Sequence, residues 1–216
     1  MEIYLIRHTT PDVAKGICYG QYDLDITTSF HKEAEIIKGF LPPGIAVVYS
    51  SPMMRCHKLA EHLFNPDLVE LHDDLKEIDC GNWEMQLWDE LSPDEVKAWM
   101  EDKINVRIPG GESYNDVFER VVVRFNKIVE IHKKQSASSP AQESTNAHRR
   151  IAIVSHGGVM RSILSYITNT ALVESFNVFS LHYSCVVKLV MNEQGWQHEI
   201  LSNIDQGKET HKPSRI

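Results

Sequence analysis

An α/β fold built on a mostly parallel sheet is what this sequence predicts, and three observations predict it. Short apolar runs alternate along the chain with longer stretches of helical periodicity. Two of the runs, Ile3-Tyr4-Leu5-Ile6 and Ile151-Ala152-Ile153-Val154, are apolar throughout, the pattern of strands buried on both faces of a parallel sheet. Each run then ends abruptly, in Arg7-His8 and in Ser155-His156-Gly157-Gly158. The carboxyl ends of strands are where open α/β sheets bind ligands, so the observations that set the fold also mark a site.

The elements follow in order. Ile3 to Ile6 is the first strand and Ser29 to Phe40 a helix. Ala46 to Ser50 is a second strand running into Ser51-Pro52, where the proline fits the first turn of a helix over Met53 to Phe64. Arg55 falls in the opening turns of that helix, where the positive N-terminal dipole adds to its charge in attracting anions. Leu68 to Leu71 reads as a short strand, and Ser92-Pro93-Asp94-Glu95 has capping-box spacing and starts a helix whose apolar face holds Trp99 and Met100. Pro109-Gly110-Gly111 is a turn. Val117, Val121, Phe125, Ile128 and Ile131 give Glu112 to Lys134 the period of the longest helix. Residues 135–148 are rich in Ser, Ala, Gln and Pro and read as a flexible surface connection inside one domain spanning residues 1–204. After His156 a helix runs to about Thr168, and Ser184 to Met191 with Trp196 to Leu201 form a hairpin around Asn192-Glu193-Gln194-Gly195. From Asp205 on the chain is polar and reads as a disordered tail.

Composition narrows the function classes. A chain of 216 residues can bury a sizeable single core. The formal charge of −8, with no basic stripe carrying interleaved aromatics, argues against a nucleic-acid partner, so any cationic pocket must be local. There is no charged-then-apolar leader and no apolar run near the ~20 residues a membrane helix needs, which points to a cytoplasmic protein without a membrane partner. A homodimer is compatible with the sequence, which carries no signal for or against one. Cys18, Cys56, Cys80 and Cys185 show no CxxC spacing and read as reduced thiols. Among the eleven histidines there is no HExxH pattern, and His31, His62, His132 and His198 read as solvated or capping residues. No metal and no cofactor is expected.

The chemistry rests on the two strand ends. A strand-end histidine taken singly is more often a hydrogen-bonded structural group than a catalytic one. Two of them on neighbouring strands can converge on one small anion beside Arg7, and the Gly157-Gly158 turn can add backbone N–H groups. A phosphoryl group is the anion that fits best. Guanidinium forks and an imidazole donor can stabilise its equatorial oxygens without a metal.

The motifs Arg7-His8-Thr9, Ser50-Ser51-Pro52 with Arg55, Glu77 with Cys80-Gly81-Asn82-Trp83-Glu84, Pro109-Gly110-Gly111-Glu112-Ser113 and Ser155-His156-Gly157-Gly158 occur in that order. The series resembles that of the histidine phosphatase superfamily, also called phosphoglycerate-mutase-like, from residue 3 to roughly 170. The resemblance implies a three-layer α/β/α sandwich and a set of roles. His8 is the nucleophile, Arg7, Arg55 and His156 form the phosphate pocket, and Glu77 is the proton donor, with Glu84, Asp79 and Glu70 as nearby competitors. The ring nitrogen of His8 that does not attack needs an acceptor, which in this family is a backbone carbonyl of the same loop.

Within the family, Thr9-Thr10-Pro11-Asp12 followed by Gly16-Ile17-Cys18-Tyr19-Gly20-Gln21 and Asp23-Leu24 resembles α-ribazole phosphatases. The superfamily usually has Gly-Glu-Thr or Gly-Glu-Ser after Arg-His and an asparagine farther on, near whose place Ala14 stands here. The hydroxyls of Thr9 and Thr10 and nearby backbone N–H groups are therefore the candidates to complete the phosphate loop, with Tyr19, Gly20, Gln21 and Gly157 also lining the substrate site. Met85 stands where the family commonly has glycine after the Trp-Glu pair. The short segment between Glu84 and Pro109 favours net hydrolysis over mutase chemistry, which must keep water out while its intermediate reorients. Tyr19, Trp83, Trp88 and Trp99 either stack on a benzimidazole or fill the core, with core packing the default. The leading expectation is a metal-independent phosphomonoesterase acting on α-ribazole 5′-phosphate. The alternatives are a broad-specificity or sugar-phosphate phosphatase, a phosphoglycerate mutase, and a phosphoryl-binding module without turnover.

Overall fold

The computed structural model describes residues 1–137, 150–205 and 207. Six strands form one sheet in the order β3-β2-β4-β1-β5-β6. They are β1 (Glu2–Arg7), β2 (Ile45–Ser50), β3 (Val69–Leu71), β4 (Arg150–Ser155), β5 (Val186–Asn192) and β6 (Gly195–Ser202). The β3-β2, β2-β4 and β4-β1 pairs are parallel, whereas β5 and β6 add an antiparallel hairpin at one edge. The hairpin needs only a tight turn, while each parallel pair requires a crossover, and the helices supply these. They are α1 (Phe30–Lys38), α2 (Met54–Leu63), α3 (Pro93–Glu101), α4 (Tyr114–Ala137), α5 (Gly157–Thr168) and the short α6 (Ser175–Val178).

The apolar runs are buried on both sides because successive side chains of a strand point to opposite faces. Ile3, Leu5, Ile151 and Ile153 join Val121, Phe125 and Ile128 of α4 and Met160, Ile163 and Leu164 of α5 in one core layer. Tyr4, Ile6, Ala152 and Val154 join Phe30, Ala34 and Ile37 of α1 and Leu59 and Ala60 of α2 in the other. This is the expected three-layer α/β/α sandwich.

Four local expectations need correction. Pro52 does not open α2, which starts two residues later at Met54. The Ser92 side chain makes no cap hydrogen bond. The Glu95 carboxylate instead accepts from Trp83 Nε1 through Oε2 at 3.1 Å. His132 is neither solvated nor a cap. It is 2% exposed and bonds the Tyr49 hydroxyl at 2.9 Å across the sheet–α4 interface. The helix expected over Glu112 to Lys134 runs from Tyr114 to Ala137, so the connection read at 135–148 falls from 138 on outside the described residues, as does most of the tail beyond Asp205.

Candidate active site

The two strands that carry the histidines are neighbours. Arg7 pairs with Ser155 at the end of the parallel β1–β4 ladder, and the His8 N–H donates to the Ser155 carbonyl at 3.0 Å. This register brings the imidazoles of His8 and His156 edge to face, with ring centroids 5.1 Å apart, although the residues are separated by most of the chain.

His8 is 2% exposed, and its Nδ1 lies 2.7 Å from the Thr9 carbonyl oxygen. A carbonyl can only accept, so Nδ1 carries the proton and Nε2 is left with its lone pair. His156 is fully buried at the start of α5, with Nε2 2.8 Å from Ser51 Oγ and 3.5 Å from Cys56 Sγ. Burial first, and then the positive charges of Arg55 and Arg7, hold its pKa well below the ordinary value, so His156 is a neutral donor or acceptor at neutral pH. Burial likewise pushes the Cys56 thiol up to about 12.

Arg7 packs its guanidinium over the Tyr183 ring, 4.2 Å from the centroid, and donates through Nη1 to the Leu181 carbonyl. Arg55 is also fully buried but turned another way. It donates to the carbonyl oxygens of Gly20 at 2.7 Å and Tyr22 at 3.0 Å, so its charge sits behind the loop of residues 16–22. Glu77 accepts from its own neighbour Ile78 N at 3.0 Å and from Gly158 N, at the N-terminus of α5, at 3.1 Å. A Cβ on Gly158 would lie 2.2 Å from Glu77 Oε1, so glycine is required for this approach.

Arg7, His8, Tyr19 and Glu77 line a cavity of about 120 Å³ together with Trp88, Trp99, Tyr114, Ile78, Ile108 and Cys80. Among the described residues Arg7 and Glu77 supply its charged side chains. His156, Arg55, Thr9, Gly20, Gln21 and Gly157 are not among the residues that line it. A larger hollow of about 510 Å³ lies on the β5–β6 hairpin against Lys188, Gln197 and Glu199, away from both histidines. Its ligand-binding groups are surface ones, and the convergent polar groups lie in the smaller cavity.

The competitors of Glu77 are engaged elsewhere. Glu84 Oε1 accepts from the backbone N–H groups of Gln21 and Cys80, Asp79 Oδ1 accepts from Gly81 N, and Glu70 is exposed beside His72. Thr10 does not face the anion site, because its N–H and hydroxyl both donate to Glu33 Oε2, at 2.9 and 3.1 Å. The Thr9 hydroxyl is buried and has no hydrogen-bond partner among the described residues. Gln21 binds through Nε2 to the Glu77 carbonyl at 3.1 Å. Met85 adopts φ +64°, making with a bulky side chain the turn that glycine makes without strain.

Several site groups carry no local signal in the sequence. Glu33, fully buried on α1, also accepts from Ser29 Oγ at 2.5 Å and Ser184 Oγ at 2.8 Å, joining α1 to the loop after His8 and to the turn before β5. Arg120 on α4 forms a bidentate ion pair with Glu112 and donates to the Glu77 carbonyl at 2.9 Å, holding the acid's backbone. Tyr183 stacks on Arg7. Each reaches the site from a distant segment. Among the described residues no three His, Cys, Asp or Glu side chains are grouped to hold a metal ion, and no helix is long and apolar enough to cross a membrane.

Comparison with known proteins agrees with this geometry. The chain is 26% identical over 185 residues to "Putative phosphoserine phosphatase 2" of Hydrogenobacter thermophilus, covering 82% of this chain and 83% of that one. It is 29% identical over 181 residues to "Metal-independent phosphoserine phosphatase" of Arabidopsis thaliana, covering 79% and 70%. Its fold is like that of the α-ribazole phosphatase of Shigella flexneri, with a TM-score of 0.78 at 20% identity, covering 93% of this chain and 95% of that one. Residues 3–204 match the profile of the histidine phosphatase superfamily, branch 1. With its paired strand-end histidines and Arg7 and Glu77 on one cavity, the chain belongs to the histidine phosphatase superfamily.

Proposed function

We propose that this protein is a metal-independent phosphomonoesterase that works through a phosphohistidine on His8. The observation that carries the reading is the His8 imidazole, with Nδ1 committed to the Thr9 carbonyl and Nε2 left as nucleophile beside Arg7 and Glu77 in one cavity. In the first step Nε2 forms a bond to phosphorus while the bond to the ester oxygen breaks. Glu77, as the carboxylic acid, gives that oxygen its proton. In the second step water attacks phosphorus, the carboxylate of Glu77 takes its proton, the P–N bond breaks and phosphate leaves. The proton stays on Nδ1 and is donated to the Thr9 carbonyl, whose oxygen supports the positive charge of the phosphorylated ring. Arg7 complements the charge on the equatorial oxygens, while Arg55 adds its positive charge from behind the loop of residues 16–22 and the neutral His156 stands beside His8 as a hydrogen-bonding group.

The substrate we favour is α-ribazole 5′-phosphate, with a role in assembling the nucleotide loop of cobalamin. The stretch from Gly16 to Gln21 supports it, and so does the cavity that Trp88, Trp99 and Tyr114 line together with His8. Phosphoserine is the second reading, favoured by the names of the sequence relatives. An amino-acid leaving group needs a partner for its carboxylate, and among the described residues the cavity lining holds no cationic or imidazole side chain beyond Arg7 and His8, which the phosphoryl group engages. The test is phosphate release from α-ribazole 5′-phosphate, phosphoserine, 3-phosphoglycerate and an aryl phosphate in excess EDTA, for wild type and His8→Ala. A kcat/KM preference for the ribazole ester that disappears in the variant is the expected result. Preference for phosphoserine moves the substrate, EDTA-sensitive release removes metal independence, and vanadate binding without release makes the protein a phosphoryl-binding module.

A further inference from the structure

Arg7 and His8 are braced by a segment that enters the site from the far end of the chain. Between α6 and β5, Leu181 offers its carbonyl to Arg7 Nη1, Ser184 N donates to the His8 carbonyl at 3.1 Å, and the Cys185 carbonyl accepts from Arg7 N at 3.0 Å. Tyr183, 3% exposed in the middle of this segment, lays its ring against both groups at once. Its centroid is 4.2 Å from Arg7 Cζ and 5.5 Å from the His8 ring. Its hydroxyl meets the Tyr19 hydroxyl at 2.6 Å, and the Tyr19 ring lies 5.5 Å from Arg55 Cζ. Arg55 in turn holds the Gly20 carbonyl, in the residue next to Tyr19.

We propose that Tyr183 and Tyr19 are positioning residues, a two-tyrosine strut that fixes the plane of Arg7 and the placement of His8 and ties both to the loop that holds Arg55. A guanidinium binds phosphoryl oxygens through the N–H groups in its own plane, so a ring stacked on one face selects the orientation without occupying those donors. Arginine otherwise loses that orientation among many rotamers, and phosphoryl transfer depends on position above all. The hydroxyl–hydroxyl bond sets the tilt of the Tyr183 ring, because it anchors the ring's far end on the segment from Gly16 to Gln21. The strut rests on the reading of Arg7 and His8 as phosphoryl-binding groups, so its test must report on anion binding independently of turnover.

The experiment measures vanadate affinity by calorimetry, and kcat and KM for an aryl phosphate, in the full chain carrying Tyr183→Phe, Tyr19→Phe, both together, or Tyr183→Leu. Both phenylalanine variants keep the ring volume and should fold. Each is expected to weaken vanadate binding about fivefold, and the double variant no further, since the three remove the same single bond. Tyr183→Leu, which removes the ring over Arg7, is expected to weaken it roughly tenfold and to raise KM. A purely structural tyrosine would lower Tm and leave these values alone. Wild-type vanadate affinity in all variants overturns the proposal, as do additive effects of the two phenylalanine changes. A wild-type protein that neither binds vanadate nor releases phosphate overturns the reading of the whole site, and the strut with it.

Discussion

At the scale of single residues, two small groups beside the nucleophile make opposite demands. Gly158 leaves room for Glu77, since a Cβ there would lie 2.2 Å from its Oε1 while its N–H holds the other carboxylate oxygen. Gly158→Ala is expected to lower kcat at least about 100-fold, the lower range for loss of a general acid, while vanadate affinity stays near wild type. Steady-state kinetics paired with vanadate titration checks the split, and parallel losses in both would place Gly158 in anion binding instead. Thr9 keeps a buried hydroxyl with no partner among the described residues, which costs about 1–3 kcal/mol unless a ligand completes it. Thr9→Val is expected to raise the urea midpoint and to lower kcat/KM. If kcat/KM does not change, Thr9 leaves the phosphate site. The groups legible in the sequence are those whose position follows from a strand end: Arg7, His8 and His156. Glu33, Arg120 and Tyr183 were illegible because each lies on an element of its own, with nothing local to mark its approach.

Elements were read well where periodicity decided them and poorly where a side chain had two possible partners. The apolar runs became β1 and β4 because nothing competes with burial on both faces of the sheet. The capping box is absent at Ser92, where Glu95 binds Trp83, and the role of His132 on α4 is hidden from local sequence because its partner Tyr49 comes from β2. Two predictions belong at this scale. Met85, 39% exposed at φ +64°, carries the strain of a left-handed residue. Met85→Gly is expected to stabilise the fold by up to about 1 kcal/mol, the relief of that strain less the added freedom of the unfolded chain, and denaturant titration will measure it. A loss of stability would mean that the Met85 side chain contributes packing that outweighs the strain. Glu33 accepts four hydrogen bonds from Thr10, Ser29 and Ser184. Glu33→Ala leaves these donors without their acceptor and is expected to cost about 3 kcal/mol or more, whereas Glu33→Gln, which keeps an acceptor, should cost less. Equal costs would show that the side chain fills space rather than organising the loop.

For the molecule as a whole, the positive groups gathered at the strand ends set a pH dependence. The His156 pKa is well below its ordinary 6.5 in the fold because of burial and the neighbouring cations. Between the folded and unfolded values the unfolded chain binds more protons, so stability falls as pH drops below about 6.5. The urea midpoint is expected to be lower at pH 5.5 than at pH 7.5, and the difference should shrink in His156→Asn. An equal difference in both proteins would assign the effect to other groups. The parallel β1–β4 pairing has a kinetic side as well. The nucleophile at position 8 is synthesised long before its strand partner at residues 150–155, and the segment bracing Arg7 arrives only with residues 181–185. Closing so long a loop is entropically slow, so the catalytic centre should be among the last features to form during folding. A nascent chain halted near residue 180 would already contain His8, Arg55, Glu77 and His156 and still lack the contacts that aim Arg7, so activity becomes a late signal that synthesis has passed that point.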